Sequence, residues 1–261
     1  MNTEGNFECI EISFDDGVAW LTLSRPDKLN SFTAVMHEEV AEILSRVQQS
    51  SDVRCLVITG AGRGFSAGQD LADLDMSNLG EVVEKHYNPL LRTITQLQIP
   101  VIACVNGVAA GAAANMALAC DIVLAARSAK FIQSFHMLGL VPDGGGTWTL
   151  PRLVGLARAT ALCLTGEPVS AEKAEQWGMI WRCVDDEDLV SETSALAHSF
   201  AQKATTGLGF TKQLLRLSQT RTLDEQLDLE RDYQQAASQT QDFKEGVDAF
   251  LNKRKPVFTG Q

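Results

Sequence analysis

Apolar and polar positions alternate or run apolar along residues 8–14 and again along 18–24, with Asp15-Asp16-Gly17 between them. That arrangement predicts a β-hairpin. The period then changes: residues 32–49 carry apolar positions at helical spacing, with Ser31 or Thr33 placed to cap the helix and acidic residues in its first turns. Residues 54–60 form a buried strand ending in Gly60-Ala61-Gly62. Residues 76–97 read as a helix, less regular at its start, and Pro100 opens the next strand.

The stretch 101–126 is largely apolar and about long enough to cross a bilayer. Asn106, Asn115 and Asp121 interrupt it, and glycine-bearing turns break its helical period. It reads better as a buried strand (101–105), a turn, a buried helix (112–119) and another strand (122–125). Farther on, 147–153 and 157–164 predict short helices, 170–177 a third with Ser170 and Lys173 at its beginning, and 179–184 a strand. From Asp186 onward the pattern predicts helix throughout. The fold class is therefore α/β: strands and helices in repetition, then a helical tail, with no long linker or low-complexity tract.

Composition narrows the possible partners. The chain has 261 residues, 45 % of them hydrophobic, enough for one sizeable core with or without an appendage. Its net charge of −11 argues against nucleic acid or an anionic membrane as a partner. The opening Met1-Asn2-Thr3-Glu4-Gly5-Asn6 has no basic region followed by an apolar core, so no secretory signal is expected. Cys9, Cys55, Cys104, Cys120, Cys163 and Cys183 show no short paired spacing and sit mostly in apolar runs. This predicts buried thiols in a reducing cytoplasm, and no metal site.

One carboxylate stands apart. Asp143 lies in Leu138-Gly139-Leu140-Val141-Pro142-Asp143-Gly144-Gly145-Gly146-Thr147, an otherwise uncharged, glycine-rich and apolar run. A carboxylate without a charge partner has raised proton affinity and can act as a base near neutral pH. A second glycine-rich run, Val105-Asn106-Gly107-Val108-Ala109-Ala110-Gly111-Ala112-Ala113-Ala114-Asn115, leads into the buried helix, whose start offers free N–H groups and partial positive charge. Together they suggest proton removal with stabilisation of the resulting oxyanion. The plainer reading of Pro142-Asp143-Gly144 is a turn.

Gly64-Phe65-Ser66-Ala67-Gly68 matches the G-x-S-x-G pattern of serine hydrolases. That motif needs a strand ending directly at the serine, whereas the strand here is expected to end at Gly60, and His86, His136 and His198 lack a distinctive late-loop setting. The alternative is a loop, Ser66 to Asp70, whose backbone N–H groups face a ligand, with Gly68 allowing close approach.

Four segments in order and spacing resemble the enoyl-CoA hydratase/isomerase (crotonase) family over almost the whole chain: Arg25-Pro26-Asp27-Lys28-Leu29-Asn30-Ser31, Gly64 to Leu71, Val105 to Asn115, and Leu138 to Thr147. Ala125-Ala126-Arg127-Ser128-Ala129-Lys130-Phe131, Gly178-Met179-Ile180-Trp181, Leu227-Asp228-Leu229-Glu230-Arg231-Asp232-Tyr233 and Phe258-Thr259-Gly260 further resemble the branch that isomerises ring epoxides in phenylacetate catabolism. The resemblance implies a crotonase-like repeated ββα spiral over residues 1–200 with a C-terminal helical oligomerisation segment over 201–261.

It also implies roles. The oxyanion hole falls on the backbone N–H groups of Gln69, after Ala67-Gly68, and Ala112, after Gly111. The two glutamates of hydratases fall on Asn115 and Phe135, neither of which can serve as acid or base, so ordinary water addition is not expected. Asp143 takes the place of the single carboxylate of Δ3,Δ2-enoyl-CoA isomerases. Lys28 and Leu29 match the CoA-binding turn, and Lys255 in the tail is a candidate for a CoA phosphate at its own or a neighbouring site. Ser66, Asp70, Leu71, Gly111, Asn115 and Phe135 complete the expected substrate contacts, with Phe135 and Trp148 as apolar wall and the loop 73–85 reaching the acyl group.

Plainer roles stand beside these: a cap for Asp70, a bond inside the buried helix for Asn115, core for Phe135 and a packed or surface position for His136. The expected substrate is an acyl-CoA thioester, with CoA belonging to the substrate and no separate cofactor. A homotrimer or dimer of trimers, with a hydratase of the same pathway as a further partner, completes the expectation. Other chemistry on the same fold stays open, including Asp143 as a nucleophile, as does a non-catalytic partner subunit.

Overall fold

The computed structural model describes residues 7–74 and 77–261, together with the backbone of Asn2–Thr3. The expectations for the opening residues Met1 and Glu4 to Asn6, and for a helix starting at Met76, fall outside these residues.

Strand β1 (Asn2–Thr3) pairs with β2 (Ile10–Asp15), and β2 turns through Asp16 and Gly17 into β3 (Val18–Leu23), the hairpin read from the sequence. Helix α1 (Ala34–Gln49) starts where predicted because the Thr33 hydroxyl accepts from the Met36 N–H at 3.2 Å. Its apolar stripe, including Met36, Val40, Ile43 and Leu44, is buried. β4 (Cys55–Gly60) then runs parallel to β3.

A second strand follows each of the next core strands. β5 (Gly64–Ser66) comes after β4; β7 (Val108–Ala110) after β6 (Val101–Val105); β9 (Lys130–Ile132) after β8 (Ile122–Ala126). The first members of these pairs join a 7-stranded sheet ordered β1-β2-β3-β4-β6-β8-β11, where β11 is Arg182–Val184. The second members build a 4-stranded sheet, β10-β9-β7-β5, in which β10 is Val169–Ser170. The implied ββα spiral calls for these second strands, but read segment by segment the sequence does not show them, because each has only two or three residues, too few to display a period of two.

Helices close the turns of the spiral. α2 (Leu79–Val82), a π-helical segment (Val83–Tyr87) and α3 (Asn88–Gln96) form one continuous rod in place of the uniform helix expected over 76–97. α4 (Ala112–Ala119) is wedged between the sheets, touching β5 and β7 of the small one and β6 and β8 of the large one, and all its residues are buried. α5 (Gly146–Val154), α6 (Leu156–Thr165) and α7 (Ala171–Gln176) follow, the last capped by Ser170 as expected.

α8 (Leu189–Ala201) lies against β3, β4, β6 and β8. α9 (Thr205–Leu217) is tied to the core by an ion cluster around the buried Lys212. Lys212 meets Asp121 at 2.6 Å and the Ile99 carbonyl at 2.9 Å, and Arg216 meets Asp121 at 3.2 Å. α10 (Leu223–Ser238) and α11 (Gln241–Leu251) complete the tail. Residues 252–261 are not helical, which corrects the all-helical expectation from Asp186 onward. Their path is set by the buried Asp242 carboxylate, which accepts from the N–H groups of Thr259 and Gly260 at 2.7 and 2.8 Å.

All six cysteines are free thiols. No helix among the described residues is long and apolar enough to cross a membrane, and no cluster among them could hold a metal ion.

Candidate active site

Gly68 is where the small sheet opens into a site. The pairing of β5 with β7 slips between Gly64 and Ser66, a bulge that bends the chain away from the ladder. Gly68 then takes φ +90°, and a Cβ there would lie 2.8 Å from the Ala110 carbonyl oxygen and 3.7 Å from the Ala112 nitrogen. Only glycine lets these two backbones approach so closely. Phe32 and Gln69 form a parallel bridge in which the Phe32 N–H donates to the Gly68 carbonyl and the Asp70 N–H to the Phe32 carbonyl, both near 2.9 Å. In a parallel bridge these bonds flank Gln69, so its own N–H faces the other way. Ala112, the first residue of α4, likewise has no carbonyl one turn earlier to receive its N–H. Neither N–H donates to a backbone carbonyl among the described residues.

Both residues line a cavity of about 570 Å³. Its wall is mostly apolar, with Leu71, Leu74, Val83, Phe135, Leu138 and Val141 among the contributors. Asp143 is the one carboxylate lining it among the described residues. Its Oδ1 is buried without a hydrogen-bond partner, and burial pushes the carboxyl pKa up to about 6, against a lesser opposing pull from its own backbone N–H. Tyr87, also in the wall, donates its hydroxyl to Gln69 Oε1 at 2.9 Å. Burial, and secondarily the Asp143 charge, hold that phenol far above its ordinary pKa, so it stays protonated.

Of the residues singled out by sequence, the structure brings Ala67, Gly68, Gln69, Leu71, Gly111, Ala112, Phe135 and Asp143 to this one cavity. Others are placed elsewhere. Ser66 is fully buried, its hydroxyl donating to the Asn30 carbonyl at 2.7 Å, which rules out both a nucleophile and a substrate contact. Asp70 is spent on Arg25 at 3.0 Å, the Ser31 hydroxyl at 3.2 Å and the Ala72 N–H at 3.2 Å, so it braces the loop instead of lining the cavity.

Asn115 is wholly buried and bonds within the protein, the plainer of its two readings. Trp148 stacks under Arg152 on another face. Lys255 borders a separate depression with Arg54 and Phe258. Lys28 is exposed at the end of a short 3-10 turn, and Leu29 acts through its carbonyl, which accepts from the Ala67 N–H at 2.9 Å. Leu29 and Asn30 hold φ of +48° and +54°, and the Asn30 amide pins this strained turn by donating to the carbonyls of Ala61 and Gly64.

Sequence reasoning missed Tyr87 and Ser134, both in the wall. The available signal for Tyr87 was Val83 and Tyr87 four residues apart inside a predicted helix, which core packing produces equally well.

The sequence profile of the enoyl-CoA hydratase/isomerase family matches residues 13–261. The chain belongs to this family. It is 54 % identical to the 1,2-epoxyphenylacetyl-CoA isomerase of Escherichia coli K12 over 95 % of this chain and 97 % of that protein. It is 35 % identical to the trans-2-decenoyl-[acyl-carrier-protein] isomerase of Streptococcus mutans, covering 98 % of this chain and 100 % of that one. The crystal structure of the enoyl-CoA hydratase of Bacillus anthracis superposes with a TM-score of 0.93 at 29 % identity, over 97 % of this chain and 100 % of that one. The fold is thus the crotonase spiral, with its C-terminal helices, and the chain is an enzyme of this family.

Proposed function

We propose that this crotonase-family enzyme is an acyl-CoA isomerase that moves a proton with one carboxylate. Its expected substrates are the ring-1,2-epoxide of phenylacetyl-CoA, converted to oxepin-CoA, and 3-enoyl-CoA esters, converted to 2-enoyl-CoA. The observation that carries the reading is Asp143, the one acid among the described residues of an apolar cavity, with a pKa near 6 beside the N–H groups of Gln69 and Ala112. In the enoyl reaction the Asp143 carboxylate takes a proton from the acyl chain. The thioester oxygen becomes an enolate held by the N–H groups of Gln69 and Ala112, and the resulting carboxylic acid returns the proton to another carbon. The apolar wall keeps water from exchanging that proton. A hydratase needs a second acid or base, and the candidate positions Asn115 and Phe135 offer none.

Lys28, on the exposed face of its turn, is the proposed contact for the CoA phosphates, with Lys255 a candidate from a neighbouring subunit. The proposed assembly, a trimer or pair of trimers, draws on exposed apolar residues of the 201–261 segment such as Leu215, Leu227, Phe243, Val247 and Phe250. The free thiols suit a cytoplasmic setting.

The test is Asp143→Asn assayed on both substrates, alongside crotonyl-CoA in water. The expected result is a kcat lower by about 10³ with substrate affinity kept, and feeble hydration at most by the parent protein. Unchanged turnover in the variant, or efficient hydration by the parent, would overturn the reading.

A further inference from the structure

Behind Asp143 lies a chain of neutral amides that contributes nothing to the cavity wall. Gln133 Nε2 donates to Asn115 Oδ1 at 2.8 Å, and Asn115 Nδ2 donates to the Asp143 carbonyl at 2.7 Å. The same carbonyl accepts from the Gly146 N–H at 2.9 Å, so both its lone pairs are engaged. The glycine run after Asp143 wraps this amide closely: a Cβ on Gly146 would stand 2.3 Å from Asn115 Nδ2, and one on Gly144 3.4 Å from Asn115 Cβ.

Two features separate this arrangement from ordinary packing. Gln133 Oε1 is buried and has no hydrogen-bond partner among the described residues, a cost that an apolar side chain of the same shape would not carry. A long amide kept at such a cost serves something other than stability. The direction of the bonds supplies the purpose. By donating to Oδ1, Gln133 fixes which end of the Asn115 amide faces Asp143; a flipped amide would set oxygen against oxygen. Moreover, Asn115 stands one turn along α4 from Ala112, so a single buried helix holds both an oxyanion donor and the strut of the base.

We infer that Gln133 and Asn115 are positioning residues that hold the Asp143 peptide in fixed register with the Ala112 N–H, setting the distance between base and oxyanion donor. The inference rests on the reading of Asp143 as the base. Neither side chain touches the reacting atoms, and each acts through the Asp143 carbonyl.

The experiment compares Gln133→Met, Asn115→Leu and Asn115→Asp with the parent and with Asp143→Asn, measuring kcat, KM, the pH profile of kcat and the thermal melt. Gln133→Met is expected to melt at or above the parent temperature, because it removes an unsatisfied polar group, yet to lose about tenfold in kcat with KM nearly unchanged. A purely structural role would show the reverse. Asn115→Leu is expected to lose about 10²-fold in kcat. Asn115→Asp puts a carboxylate behind the Asp143 peptide and should move the midpoint of the kcat profile up by about one pH unit.

Folded Gln133→Met and Asn115→Leu proteins with parental kcat, or an unmoved midpoint in Asn115→Asp, overturn the inference. If Asn115→Leu does not fold, Gln133→Met and the isosteric Asn115→Asp decide. An inactive Asp143→Asn beside fully active relay variants overturns the relay alone. An active Asp143→Asn overturns the base, and the relay with it.

Discussion

Gln69 and Ala112 are assigned to the oxyanion through their backbones, and their side chains make the assignment testable. Gln69→Ala keeps the N–H and removes the amide that accepts from Tyr87, so kcat is expected to fall less than tenfold. Ala112→Pro removes the second donor at a helix position where proline is structurally tolerated, and turnover should nearly vanish while the melt is retained. Removing a single oxyanion donor costs about 3–4 kcal/mol of barrier. A folded Ala112→Pro protein with normal kcat would take Ala112 out of the site. Residues that runs of small groups bring to the cavity, such as Gly68, Gly111 and Asp143, were legible in the sequence because such runs are rare and their order is distinctive. For Ser66, Asp70 and Asn115 the sequence left a ligand contact open beside the plainer roles, because hydrogen bonding to a ligand and to the protein's own groups call for the same side chains. Only the coordinates separate the two, by showing that Asn30, Arg25, Ser31, Gln133 and Asp143 have already taken those bonds.

At the level of elements, long periods were readable and short ones were not. The hairpin, α1, β4, β6 and α4 could be seen from pattern because each repeats its period or forms an apolar run. The small sheet could not, although its β5–β7 seam delivers the Gln69 and Ala112 backbones to each other. The π segment Val83–Tyr87 was equally invisible: it shifts the rod's register locally and places Tyr87 on the cavity side. The attachment of α9 gives a prediction at this scale. Asp121 faces both Lys212 and Arg216, and it also accepts from the Val101 N–H at 2.8 Å. Asp121→Ala leaves the Lys212 ammonium buried without its counter-charge and should destabilise the protein by about 3–5 kcal/mol, read from chemical denaturation. Lys212→Met together with Asp121→Asn should recover much of that loss. A melt unchanged by Asp121→Ala would mean that the cluster does not hold α9.

For the molecule as a whole, two buried titratable groups pull stability in opposite directions over one pH window. His37 is buried, and burial, then the stacked His86 ring at 4.9 Å, lower its pKa to about 4 against lesser opposing pulls from Gln69 and Asp73. The native state therefore binds fewer protons than the unfolded chain below pH 6.5, and the stability that His37 gives at neutral pH is lost as pH falls toward 4. Asp143 does the reverse. Its raised pKa makes the native state bind more protons from about pH 6 down to 3.8, so acidification relieves a cost. Asp143→Asn should accordingly melt more steeply on going from pH 7 to 5 than the parent, and His37→Leu less steeply. The two variants, each referred to its own pH 7 melt, are expected to differ by about 6 °C at pH 5. Parallel pH dependence in both would contradict these protonation states.

The wedge position of α4 has a consequence for how this scaffold can diversify. In the proposed mechanism Ala112 and the support of Asp143 belong to one short rod locked between two sheets, whereas most of the remaining cavity wall comes from Leu71, Leu74, 79–87 and 134–141. Changes that reshape the tunnel for another chain length or ring are thereby insulated from the alignment of the chemistry. A library confined to Leu71, Leu74, Val83, Leu138 and Val141 should exchange one acyl preference for another while every active member keeps the same pH midpoint, the signature of an untouched Asp143. Selectivity and reactivity can then drift as separate traits of the same chain.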